Sequence, residues 1–163
     1  MTNLSRTVFI IVLLLCLGHA AYYYPLLPDR VASHFGASGR PDAWSSKDTF
    51  VSIYLFAVAV IAVLFSGIGF MLRRTPASLI NLPNRDYWLS PGRSDETIGL
   101  LSRQFLWFGS ATLLLMLDIF NQSFQVHLGR AQTLGHPVAS IVVYILFSVL
   151  WSTWLIAKFR RRL

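Results

Sequence analysis

Phe50-Val-Ser-Ile-Tyr-Leu-Phe-Ala-Val-Ala-Val-Ile-Ala-Val-Leu-Phe-Ser-Gly-Ile-Gly-Phe-Met-Leu72 carries no charged side chain and is followed at once by Arg73 and Arg74. A helix needs roughly 20 consecutive apolar residues to cross the hydrocarbon layer. The stretch therefore reads as a membrane span closed by two arginines that stop transfer. Three others surround it: Thr7 to Tyr24, Phe105 to about Val126, and Val138 to Ala157. The fold class that follows is an all-α integral membrane protein, a four-helix transmembrane bundle in a single domain over residues 1–163. Composition agrees, since 55% apolar against 13% charged residues is too apolar for an ordinary soluble domain.

The net charge of +7 could indicate nucleic acid, but its placement gives another cause. Basic residues near membrane ends are retained in the cytoplasm, so they should collect in alternate loops. With the N-terminus inside, Arg6, Arg73, Arg74, Arg85, Arg93, Arg103, Lys158, Arg160, Arg161 and Arg162 lie on the inner side. Only Arg30, Arg40, Lys47 and Arg130 lie outside, a split of 10 to 4 among the 14 basic residues. The reading is N-in/C-in, with lipid as a partner and nucleic acid excluded.

Arg6 and the apolar run after it also resemble a secretory signal, with small residues at Gly18 and Ala20. The run continues into Tyr22, Tyr23 and Tyr24, which belong in an interfacial aromatic belt, so a retained helix is the expectation. Cys16, the single cysteine, falls inside that helix and reads as a small packing residue.

The connections differ in kind. Residues 25–49, outside, are rich in turn formers (Pro25, Pro28, Gly36, Gly39, Pro41), and an irregular loop is expected there. Asp42 and Lys47 could pair across it. Inside, Asn81 to Leu89 reads as irregular, with Tyr87, Trp88 and Leu89 in the headgroup layer. Ser90 and Pro91, or Ser94 with Asp95 and Glu96, signal the start of a short interfacial inner helix leading into the third span. Pro137 suits the first turn of the fourth span. Small or polar residues recur every four positions at Ser140, Tyr144, Ser148 and Ser152, and Ala62, Ser66 and Gly69 share one side of the second span. Such stripes let helices approach closely in lipid.

Asp118 is the sharpest anomaly. A carboxylate in a membrane helix costs about 2.5 to 3.5 kcal/mol on insertion scales, so it should face protein or water and have a partner. Asn121, Gln122 and Gln125 lie on its helical face. Counted inward at 1.5 Å per residue, Asp118, His19 and Tyr144 all fall about 8 to 12 Å from the outer surface. Two readings stand: a hydrogen-bond cluster that fixes packing, or a ligand or proton-handling site. All four histidines, His19, His34, His127 and His136, fall on or near the outer side. Imidazole is a common zinc or copper ligand, but their spacing fits no metal motif, and neither metal nor cofactor is expected. No Gly-x-Ser-x-Gly elbow, phosphate loop or His-Glu-x-x-His pair is present, which leaves an enzyme reading without a motif.

The outer loop, Leu27-Pro-Asp-Arg-Val-Ala-Ser-His-Phe-Gly-Ala-Ser-Gly-Arg-Pro-Asp-Ala-Trp-Ser-Ser-Lys47, resembles the signature of a bacterial membrane domain of unknown function. That domain is also found at the N-terminus of SdpI-type immunity proteins. The matching positions are Leu27, Pro28, His34, Phe35, Gly39, Asp42, Trp44 and Lys47, and the stretch from Asn81 to Pro91 is similar to the second half of short stand-alone members. Gly36 and Ala32 depart from the residues many members carry. The resemblance implies a multi-pass protein of the bacterial cytoplasmic (inner) membrane, and kinship with the longer SdpI-type proteins implies immunity or sensing. Candidate ligand-binding residues are then His34, Phe35, Asp42, Trp44 and Lys47 on the loop, with His19, Asp118 and Tyr144 beneath it. A peptide, lipid or small ligand would bind outside, and a protein partner or anionic lipid would meet the basic inner face. The alternatives are a small transporter or membrane enzyme using Asp118 and His19, or a structural subunit of a membrane complex.

Overall fold

A computed structural model describes residues 3–161. Its helices are α1 (Asn3–Tyr23), α2 (Lys47–Arg74), α3 (Arg85–Trp88), α4 (Ser94–His127) and α5 (Pro137–Arg160), with strands β1 (Arg30–Phe35) and β2 (Pro41–Ser46) between α1 and α2. All four apolar stretches are helical, and four helices are long and apolar enough to cross a membrane. Large apolar side chains such as Leu14, Phe56, Val63, Val143 and Leu150 point outward, which suits a lipid bilayer and not water.

The helix ends extend beyond the apolar runs because local chemistry carries them on. Ser46 caps α2, its hydroxyl accepting from the Thr49 amide at 3.1 Å. Asp48 in the first turn and Arg73 and Arg74 in the last complement the helix dipole. The expected interfacial helix before the third span is not separate: from Ser94 it is the first turns of one 34-residue helix, α4. Ser90 does not cap it. Its carbonyl accepts from the Arg93 and Ser94 amides, and its hydroxyl returns to the Tyr87 carbonyl. The stretch before α4 is instead ordered around α3. Asn84, in a left-handed conformation, and Trp88 donate to the carbonyls of Phe159 and Arg160, which closes the C-terminal end of α5. Arg162 lies outside the described residues.

The connection between α1 and α2 is not irregular. β1 and β2 pair antiparallel, with register shifts on both sides of His34. Ala32 opposes Trp44, His34 opposes Ala43 and Phe35 opposes Pro41, so Ser33 and then Asp42 are each one extra residue in the ladder. Pro41 is tolerated because it opens its strand. Gly39, at φ +72°, turns the chain between them.

α4 is the central helix and contacts α1, α2 and α5. Its face towards α1 and α2 closes on an apolar core that includes Cys16, Val31, Tyr54, Val58, Leu113 and Phe124. Glycine permits the close approach: a Cβ on Gly109 would stand 2.7 Å from Phe65 and 2.9 Å from Phe9. Gly69 likewise faces Ser102, as a small-residue seam requires. Ser66 is exposed and returns its hydroxyl to the Ala62 carbonyl. α5 touches α4 and the α3 region and leaves most of its surface outward.

Candidate functional site

Asp118 stands on α4 where α5 begins. Its Oδ2 accepts from Ser140 Oγ at 2.5 Å and from Gln122 Nε2 at 2.7 Å. His136 Nε2 lies 3.5 Å from Oδ1. Gln122 also accepts from the His136 amide at 2.8 Å, so one side chain ties the carboxyl group to the start of α5. No lysine or arginine among the described residues forms an ion pair with Asp118. The carboxyl group thus has hydrogen-bond donors but no permanently charged counter-ion.

Two grooves share this residue. The first, about 480 Å³, runs between α4 and α5 past Ala111, Leu114, Asp118, Ser140, Tyr144 and Phe147. The second, about 590 Å³, lies between α1 and α4 and is lined by Leu14, Gly18, His19, Tyr23, Leu114 and Asp118, among others. Leu114 and Asp118 therefore mark where the two grooves meet.

The expected trio does not converge on one point. Asp118 is level with Ser140, three residues into α5, whereas Tyr144 donates to or accepts from Thr112 at 2.8 Å, one turn deeper. His19 Nε2 lies 3.4 Å from Asn121 Oδ1, and its ring stacks on Phe124 with centroids 5.0 Å apart. His19 Nδ1 is buried and has no hydrogen-bond partner among the described residues. Asp118 and His19 still line the second groove together, and Asp118 and Tyr144 the first. Equal counting from each helix end missed a stagger: nine residues of α4 follow Asp118, but only three of α5 precede Ser140. α4 therefore projects about 9 Å beyond the start of α5.

The hairpin wraps that projecting end. His127 Nε2 donates to the Ala32 carbonyl at 3.0 Å, and its ring packs against Phe35 and Phe50. The Leu134 amide donates to the Gly39 carbonyl at 3.0 Å, joining the hairpin tip to the α4–α5 connection. Phe35 thus folds down onto the helices, while Trp44 stays exposed. His34 points out and meets Asp42 at 2.6 Å, because the bulged register brings the two to one edge. Asp42 does not pair with Lys47, which binds Asp29 at 3.0 Å instead. His34 makes no bond to the residues around Asp118. The four histidines have four separate partners: Asn121, Asp42, Ala32 and Asp118. Among the described residues no group of three histidine, cysteine or acidic side chains gathers around a common point.

Sequence reasoning placed Asp118, Gln122 and Ser140 but not their union, and it missed His136 as the neighbour of Asp118. The available signal was Pro137, which starts a helix and fixes His136 and Ser140 at its mouth. Residues 11–64 match the family model described as Domain of unknown function (DUF1648), which takes in most of α1, the hairpin and the first part of α2. No curated protein and no solved structure matches the chain.

Proposed function

We propose that this chain is a binding or sensing protein of the bacterial inner membrane, a single four-helix bundle with both termini in the cytoplasm. Its ligand site is the Asp118 junction beneath the outer cap. The carrying observation is a carboxyl group set where two lipid-facing grooves meet, held by Ser140 and Gln122 and without a lysine or arginine partner. An ionisable group at such depth is a functional position by default. The 10-to-4 distribution of basic residues supports the orientation, and with it an outward-facing hairpin. His34, Phe35, Asp42, Trp44 and Lys47 then form the cap, and His19 and Tyr144 the groove walls. The SdpI-type resemblance of residues 27–47 supports an immunity-type role for the same outer end. The polar inner segment, with Arg85 and Arg93, is the surface for anionic lipid or a cytoplasmic partner.

A photo-activatable side chain at Leu114 tests the site, because that residue lines both grooves. Irradiated in living cells, it should capture an adduct that is lost on Asp118→Asn while the protein still accumulates. If the same adducts form from Phe56, which faces outward on α2, the grooves hold only bulk lipid and the reading fails.

A further inference from the structure

We infer that the Asp118 junction binds a phosphate-free amphiphile carrying an ammonium head, which enters sideways from the outer half of the bilayer. The inference rests on the site proposed above and adds the chemistry of its occupant. Charge comes first. The residues lining the two grooves include Asp118 but no lysine or arginine. Oδ2 is already engaged by two donors, while among the described residues Oδ1 has only His136 Nε2 nearby, at 3.5 Å. An ammonium group supplies a permanent cation and is a donor without acceptor capacity, which suits the less engaged oxygen, Oδ1.

Shape comes second. Aromatic rings line both grooves, Tyr144 and Phe147 inward of Asp118 in one and Tyr22 and Tyr23 towards the hairpin in the other. Inward from Asp118 the first groove continues along Leu115, Leu114 and Ala111, seven residues or about 10 Å of helix, with apolar lining for an alkyl tail. Polarity thus runs in the order of an amphiphile, head at the Ser140 level and tail towards the bilayer centre.

Depth excludes the commonest membrane amine. In an aminophospholipid the ammonium lies beyond the phosphate, so bringing it to Asp118 would draw a phosphate into the grooves. Phosphate needs charge-assisted donors, and neither groove offers lysine or arginine. Burying it unpaired is costly.

The test uses the full chain purified in a neutral maltoside detergent, with bound molecules counted by native mass spectrometry. Dodecylammonium should form a one-to-one adduct, about tenfold tighter than dodecanol, and dodecyl sulfate should form none. Asp118→Asn should remove the preference for ammonium, and Asp118→Glu should restore it. Leu114→Trp, which fills both grooves, should abolish binding of every probe. If dodecanol or dodecyl sulfate binds as well as the amine, and Leu114→Trp still blocks it, the ammonium assignment is overturned while the groove remains a ligand site. Equal binding of lysophosphatidylethanolamine would overturn the phosphate-free assignment and make the lipid headgroup the occupant. No adduct with any probe overturns both the ligand class and the site.

Discussion

The two faces of α4 are built by different means. Towards α1 and α2 it closes on aromatic rings: Phe124 is fully buried and meets His19, Tyr23, Phe50 and Tyr54. Towards α5 the rings of Phe105 and Phe108 meet Tyr144, Phe147 and Trp151, and polar pairs, Asp118 to Ser140 and Thr112 to Tyr144, are added to them, with a groove alongside. Lipid tails are as apolar as leucine, so burial alone does not drive helices together in a membrane; close packing and hydrogen bonds do. The first face is dominated by close ring packing, and the second combines ring contacts with polar pairs and leaves a groove open. A tightly packed face resists rearrangement. A face with a groove beside its contacts leaves room for a guest.

Phe124→Ala should break the comparison most strongly. Large core truncations cost about 3 to 5 kcal/mol in water-soluble proteins. The lost contacts, which remain uncompensated in a membrane, should keep the cost near the lower end of that range. Unfolding by increasing sodium dodecyl sulfate in mixed micelles would measure it. A loss smaller than that of any substitution on the α5 side would show that the two faces are not energetically distinct.

The next effect falls on the hairpin cap. Gly39 holds a left-handed conformation and its carbonyl accepts from Leu134, the tie between hairpin and α4–α5 connection. A side chain in that conformation costs about 1 to 2 kcal/mol, more for a branched one. Gly39→Val should therefore release Leu134 to hydrogen exchange while leaving the amides of α2 protected. Unchanged protection at Leu134 would show that the cap stays joined without this turn.

The spans were legible in the sequence because a membrane helix announces itself by length alone, as Phe50 to Leu72 does. The hairpin was not. Val31 and Phe35 carry strand preference, and a five-residue connection containing Gly36 and Gly39 is a hairpin signal. Pro28 and Pro41 obscured it, and the two bulges removed the alternation that would have marked it. Asp118 was visible as a charge out of place, and Ser140 as one member of a stripe. Their meeting depends on the stagger of α4 against α5, set by how the nine residues between the helices fold, and no periodicity within either helix encodes it.

Tyr144→Phe probes the polar face at its smallest unit. It removes the hydroxyl bonded to Thr112 but keeps the ring against Phe108 and Phe147. Hydrogen bonds between membrane helices average about 0.6 kcal/mol. The same detergent titration should register a loss of that order, and a loss above that of Phe124→Ala would reverse the assignment of the two faces.

The smallest effect separates two histidines that belong to the same cap. His127 is the inner one: a carbonyl can only accept, so the bond to Ala32 requires the proton on Nε2, and the ring is enclosed by Phe35, Phe50 and Phe124. Truncating it removes both the bond and the packing. His34 sits on the outer edge with 69% of its side chain exposed, and its contact is Asp42, half exposed itself. Such a pair is screened by solvent and contributes little to folding. His34→Ala should therefore change stability by no more than about 0.5 kcal/mol, as surface substitutions usually do. His127→Ala, measured in the same detergent titration, should cost clearly more. If His34→Ala proves the more damaging, the hairpin edge is packed against something that the fold of a single chain does not supply, and the cap would have to be redrawn as an interface.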